Sequence, residues 1–133
     1  MRVTASAVGE TDQVLRQGPI PVVIHGVIEY AAALLLIAAP FLFAFESFPA
    51  TAASIALGVA LLIFTATSTL PTALVKGLPV GLHVVGDFVL AALLILLPFV
   101  LNFREETAPT ALFIVLGVAH LIITIGTRFP DSS

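Results

Sequence analysis

Two histidine–acid pairs stand out in an otherwise apolar chain: His25 with Glu29, and His83 with Asp87. In each pair the acid follows the histidine by four places, which on a helix puts both groups on one face. Imidazole exchanges protons near neutral pH, and a neighbouring carboxylate sets its tautomer and affinity, so each pair has the chemistry of a proton or ion site. Joined by a third histidine, His120, the same donors suit a transition-metal shell if they converge to within about 2 Å of a common point. His25 and His83 also offer axial ligands to a haem, without covalent attachment because the chain has no cysteine for a CxxCH motif. The spacing specifies none of these uses, since no HExxH or cysteine motif accompanies it, so metal and cofactor stay undetermined. The structural alternative is that the pairs stabilise a bundle or fix helix register. Each buried carboxylate would then accept from imidazole, from the phenol of Tyr30 or from a backbone donor.

The segments that carry these pairs are copies of each other. Pro21 to Phe45 aligns with Pro79 to Phe103 at an offset of 58, matching Pro21 with Pro79, His25 with His83, Glu29 with Asp87 and Pro40 with Pro98. The stretches that follow align at an offset of 59, matching Gly58 with Gly117, Thr65 with Thr124 and Pro71 with Pro130. One inserted residue in the second link reconciles the two offsets, and the pattern is that of a duplicated unit. Four apolar runs result, about 20–43, 51–70, 79–101 and 109–127, each long enough as a helix to cross a hydrocarbon core of roughly 30 Å. Ala and Leu content and the lack of apolar–polar alternation argue against strands.

The expected fold is all-α, a four-helix transmembrane bundle made of two parallel-repeat helical hairpins. Residues 1–19 would form a flexible arm, 20–128 one membrane domain with repeats 20–71 and 78–130, and 129–133 a short tail. Thr51 is the expected cap of the second span and Pro71 its stop. Pro40 and Pro98 should bend or loosen equivalent helix exits, where Phe41, Phe45, Phe99 and Phe103 pack or anchor an apolar interface. Gly58 and Gly117 should permit close helix contact, and Thr65 and Thr124 should bond to nearby backbone carbonyls.

The composition agrees with a membrane setting: 59% of residues are hydrophobic and 10% charged, and the mean hydropathy is +1.18. Five basic and eight acidic side chains give too little charge, and no basic cluster, for a nucleic-acid partner. The expected partners are membrane lipids, with a homo-oligomer or a larger membrane complex open. Arg2, Arg16, Lys76 and Arg128 lie in the arm, central link and tail, against Arg104 alone in the hairpin links. The positive-inside rule therefore puts both termini in the cytoplasm and Glu46, Glu105 and Glu106 outside. The expected location is a prokaryotic inner or plasma membrane.

In that topology the two histidines lie about one turn inside the cytoplasmic face and the acids about one turn deeper. His120, on a span running the other way, reaches roughly the depth of Glu29 and Asp87. A five-residue cluster of His25, Glu29, His83, Asp87 and His120 follows, asymmetric because Leu61 stands where the second repeat has His120. No nucleophile elbow, glycine-rich nucleotide loop or metalloprotease signature supports an enzyme.

The runs LLLIAAPFLFAF and LLILLPFVLNF, each followed by a short link and a glycine-containing hydrophobic helix, resemble the SPW-repeat family of small integral membrane proteins over about residues 21–128. The resemblance implies a repeated two-span scaffold and carries no activity or cofactor. The family's Ser-Pro-Trp stands here as Ala39-Pro40-Phe41 and Leu97-Pro98-Phe99, and the chain has no tryptophan. A membrane scaffold or accessory subunit is the leading expectation, and a proton- or ion-handling protein the alternative.

Overall fold

The computed structural model describes residues 18–130. Most of the expected arm, with Arg2 and Arg16, and the last three residues of the tail lie outside the described residues. The described residues form four helices: α1 (Val22–Leu42), α2 (Phe48–Ala66), α3 (Val80–Val100) and α4 (Thr107–Gly126). Two short strands, β1 (Ile20–Pro21) and β2 (Thr127–Arg128), flank them. All four helices are long and apolar enough to cross a membrane. They pack mainly as two pairs, α1 with α2 and α3 with α4. The links within the pairs cover residues 43–47 and 101–106, so the second is longer by the inserted residue that the sequence offsets require.

The duplication extends from residue identity to burial. In α1 the inward stripe is His25, Glu29, Ala33, Leu36 and Pro40; in α3 it is His83, Asp87, Ala91, Leu94 and Pro98, each 58 places later. In α2 it is Ala50, Ser54, Gly58, Leu61 and Thr65, and in α4 Pro109, Phe113, Gly117, His120 and Thr124, each 59 places later. Steps of three and four keep each stripe on one narrow helix face. Among the buried positions are small residues that bring backbones close. A Cβ on Gly58 would stand 2.8 Å from the Ala33 carbonyl oxygen, and one on Gly117 would stand 3.1 Å from that of Ala91. Large apolar side chains such as Val27, Leu34, Val85, Leu96, Val115 and Ile122 point outward.

The core is layered along the helices. At the end of the two hairpin links, Leu36, Ala50, Leu94, Phe103 and Phe113 form an apolar cluster, with the Phe103 and Phe113 rings edge to face at 5.3 Å. The first turns of α1 and α3 lie at the other end, beside the buried Leu70, Val80 and Phe129. The inward histidines and acids sit between these layers.

Helix ends are set by local chemistry that repeats too. Past α1 and α3, Ala44 and Asn102 take left-handed backbone with φ of 48° and 60°. The N–H groups of Phe45 and Phe103 then donate to the carbonyls of Pro40 and Pro98 at 3.0 and 2.9 Å. This is the six-to-one closure of a helix C-terminus; Asn tolerates the conformation better than Ala. The prolines stay inside helices that run on for a further two residues, since the bonds they forfeit lie near the ends. Helix α2 starts earlier than the expected Thr51: Ser47 is its cap, accepting from the Ala50 N–H at 3.3 Å, and Pro49 fills the first turn. It also ends at Ala66 rather than running to Pro71. The backbone of Ser68 bridges to Leu78, and Thr67 accepts from the Leu78 N–H at 2.7 Å.

The link ends are joined by Glu106, whose carboxylate accepts from the backbone N–H groups of Glu46 and Ser47. Slight burial pushes this carboxyl up, but those donors outweigh it and hold it below the usual carboxylate range. A group with a lowered folded pKa adds stability above its unfolded pKa, and that increment is lost as pH falls through the folded one. Wild type should therefore lose an increment of stability on acidification below roughly pH 4.3 that Glu106→Gln never has. Melting curves of both proteins across that range would show it, and parallel pH profiles would argue that the clamp contributes nothing.

Candidate functional site

The N-terminal halves of α1 and α3 bring four ionisable side chains together inside the bundle. His25, Glu29, His83 and Asp87 are each 1% exposed or less. One ligand-capable atom from each lies within 4.8 Å of all the others. The contacts alternate between imidazole and carboxylate. His25 Nε2 is 2.9 Å from Glu29 Oε1 and 3.1 Å from Asp87 Oδ2. His83 Nε2 is 3.2 Å from Glu29 Oε1 and 3.4 Å from Asp87 Oδ2. Each histidine thus faces its own helix's acid and the acid of the other repeat.

The surroundings determine what each ring nitrogen can do. Thr127 Oγ1 donates its one hydrogen to the Ile123 carbonyl, so it accepts from His25 Nδ1, 2.8 Å away. His25 Nδ1 therefore carries a proton. Phe129 meets the His25 ring edge-on at 5.1 Å, and Phe64 stacks on His83 at 4.5 Å. On the acid side Thr65 Oγ1 donates to Glu29 Oε2 at 2.9 Å.

His120 stands beside this group rather than in its centre. Its Nε2 is 3.4 Å from Asp87 Oδ1, the oxygen turned away from the other two histidines, and makes no hydrogen bond. The repeat explains the difference. Glu29 reaches Thr65, whereas Asp87, shorter by one methylene, makes no hydrogen bond to the equivalent Thr124. Asp87 Oδ1, Thr124 Oγ1, His120 Nε2 and His83 Nδ1 are all buried without a hydrogen-bond partner among the described residues.

Several local expectations change. Tyr30 does not serve an acid: its hydroxyl donates to the Thr72 carbonyl at 2.9 Å, because its ring points to the central link. Thr65 bonds a carboxylate instead of a backbone carbonyl, and Thr127 was not anticipated at all. Its signal lay in the repeat, since Thr127 is the counterpart of Ser68 at the offset of 59. Both are buried just beyond a helix end. The pairing of Ile20 with Thr127 and the bridge of Leu78 to Ser68 are likewise counterparts. The segment before each first helix thus meets the segment after a second one. Of the structural positions, Pro40, Pro98, Gly58 and Gly117 are all buried.

No curated protein and no solved structure gives a significant match to this chain. The SPW repeat domain matches residues 23–127, from the turn that carries His25 to the threonine that holds its ring, with both repeats included. The chain belongs to the SPW-repeat family.

Proposed function

We propose that this protein is a small integral membrane scaffold or accessory subunit whose two hairpins cross the bilayer in the same sense and are held in register by the buried histidine–acid cluster. One observation carries the reading: His25 reaches Asp87 and His83 reaches Glu29, so each repeat supplies an acid to the other's histidine. In an apolar setting such crossed contacts fix the relative depth of the hairpins, because sliding either one leaves charged groups unpaired. The outward apolar side chains suit lipid or a partner helix. The basic residues Lys76 and Arg128, opposed by Arg104 at the other end, support cytoplasmic termini. One membrane domain of two repeats, with an arm and a short tail, is the organisation we adopt.

A second reading, ion handling, is favoured by the unpartnered polar atoms of the second repeat, which give the cluster capacity for a bound species. The apolar layer of Leu36, Leu94 and Phe113, closed by Phe103 of the second link, separates the cluster from that end of the bundle. A binding site reached from one side therefore fits better than a path across the membrane. Proteoliposomes carrying an imposed pH gradient separate the two readings. A scaffold should leave the gradient decaying as in protein-free vesicles; a proton flux abolished by Asp87→Asn would replace it with the second reading.

A further inference from the structure

We propose that His25, Glu29, His83 and Asp87 are the ligand set of one divalent first-row transition-metal ion. The proposal goes beyond the scaffold reading and does not rest on it, since crossed contacts can hold the hairpins with or without a metal.

Hydrogen counting is the first argument. The Thr127 hydroxyl spends its hydrogen on Ile123 and accepts a hydrogen bond from the Nδ1–H of His25. In neutral His25 the Nε2 atom is then a lone pair, and it faces Glu29 Oε1 and Asp87 Oδ2 at 2.9 and 3.1 Å. Three electron-rich atoms that close need a shared proton or a cation between them. Even with a proton on each Nε2, two hydrogens would serve four nitrogen–oxygen contacts. A cation at the centre satisfies all four donors together. An imidazole that directs one nitrogen to a metal while the other donates to an oxygen is the usual arrangement at metal sites.

Geometry is the second. With bonds of about 2.1 Å, a tetrahedral ion has ligand–ligand separations of about 3.4 Å. The four mixed separations here run from 2.9 to 3.4 Å, and no pair exceeds 4.8 Å. Binding therefore needs only side-chain adjustment. The flanking contacts also suit a metal: Thr65 holds the free oxygen of Glu29, while buried Asp87 Oδ1 and His120 Nε2, 3.4 Å apart, have unused capacity. His120 is a positioning residue for the Asp87 carboxylate.

Charge and donor type select the ion. Two carboxylates with a divalent cation and neutral imidazoles make a neutral unit, the form an apolar interior tolerates best. Two imidazoles with two carboxylates suit zinc, manganese, iron, cobalt or nickel. Imidazole disfavours magnesium and calcium, and the chain has no cysteine to favour copper(I).

The test uses the full chain in detergent, carried on a tag free of histidine, stripped with a chelator and titrated with Co2+ at neutral pH. Saturation at one Co2+ per chain is expected, with the visible absorption of a four-coordinate nitrogen–oxygen site, displaced by Zn2+. His120→Ala should keep that stoichiometry and bind roughly 10- to 100-fold more weakly. Glu29→Gln combined with His83→Ala should abolish saturable binding while circular dichroism still reports native helix content. No saturable Co2+ or Zn2+ binding by folded wild-type protein would overturn the proposal and leave the scaffold reading untouched. Binding that survives in the folded double variant would overturn it as well, since the ion would then sit elsewhere.

Discussion

Glu29→Leu alone will destabilise the bundle more than replacement of His25, Glu29, His83 and Asp87 together by leucine. Glu29 Oε1 lies against both histidines and Oε2 accepts from Thr65, so the single change strands the His83 imidazole and a hydroxyl in a buried site and leaves Asp87 as the one acid facing two histidines. Removing one partner of a buried ion pair costs about 3–5 kcal/mol. The fourfold change removes the charges together, and apolar replacement of whole buried networks is often neutral or better. It still leaves the Thr65 hydroxyl without its carboxylate partner, at about 1–3 kcal/mol, while Thr127 keeps its bond to the Ile123 carbonyl, and it must repack the freed volume. Unfolding in detergent with chelator present, so that no bound metal adds to stability, measures both variants. A fourfold variant less stable than Glu29→Leu would mean that the cluster is a net source of stability and not mainly a device for register.

Gly58→Ala should cost about 1–3 kcal/mol through forced separation of α1 and α2, and Gly117→Ala less, although the two positions are counterparts. A Cβ at Gly58 would meet the Ile37 Cγ1 at 2.7 Å and, behind it, two backbone atoms of one turn of α1, the Ala33 oxygen at 2.8 Å and the Ile37 nitrogen at 2.9 Å. At Gly117 the nearest atoms are the Ile95 Cγ1 at 2.7 Å and the Leu94 Cβ at 3.0 Å, with the Ala91 oxygen at 3.1 Å. Ile95 can change rotamer, but backbone cannot move without parting the helices. Melting of the two single variants decides the matter: equal losses would mean that the hairpins relax alike and that the backbone contact at Gly58 is not limiting.

Both expectations draw on an architecture that was largely legible in the chain. Apolar runs of membrane length, the offsets of 58 and 59, and the shared face of each histidine and its acid depend on local periodicity, which a helix preserves in every context. The single residue by which the links differ was legible for the same reason. Helix ends were less so. Thr51 was a sound cap by type, but Ser47 followed by Pro49 begins α2 sooner. The stop at Ala66 depends on pairing with Leu78, which no local signal near Pro71 reveals.

Four apolar helices, their duplication and the facing of each histidine with an acid on its own helix follow from the chain alone, because composition and a period of 3.6 residues are enough to set them. Packing of the helices in three dimensions was needed to see that each histidine also meets the other repeat's acid, that Thr65 and Thr127 hold the cluster, that Tyr30 turns to the central link and that His120 stands one oxygen away from the centre. Those facts depend on distances between residues far apart in the chain, where one methylene, as between Glu29 and Asp87, separates a satisfied carboxylate from one with an unused oxygen.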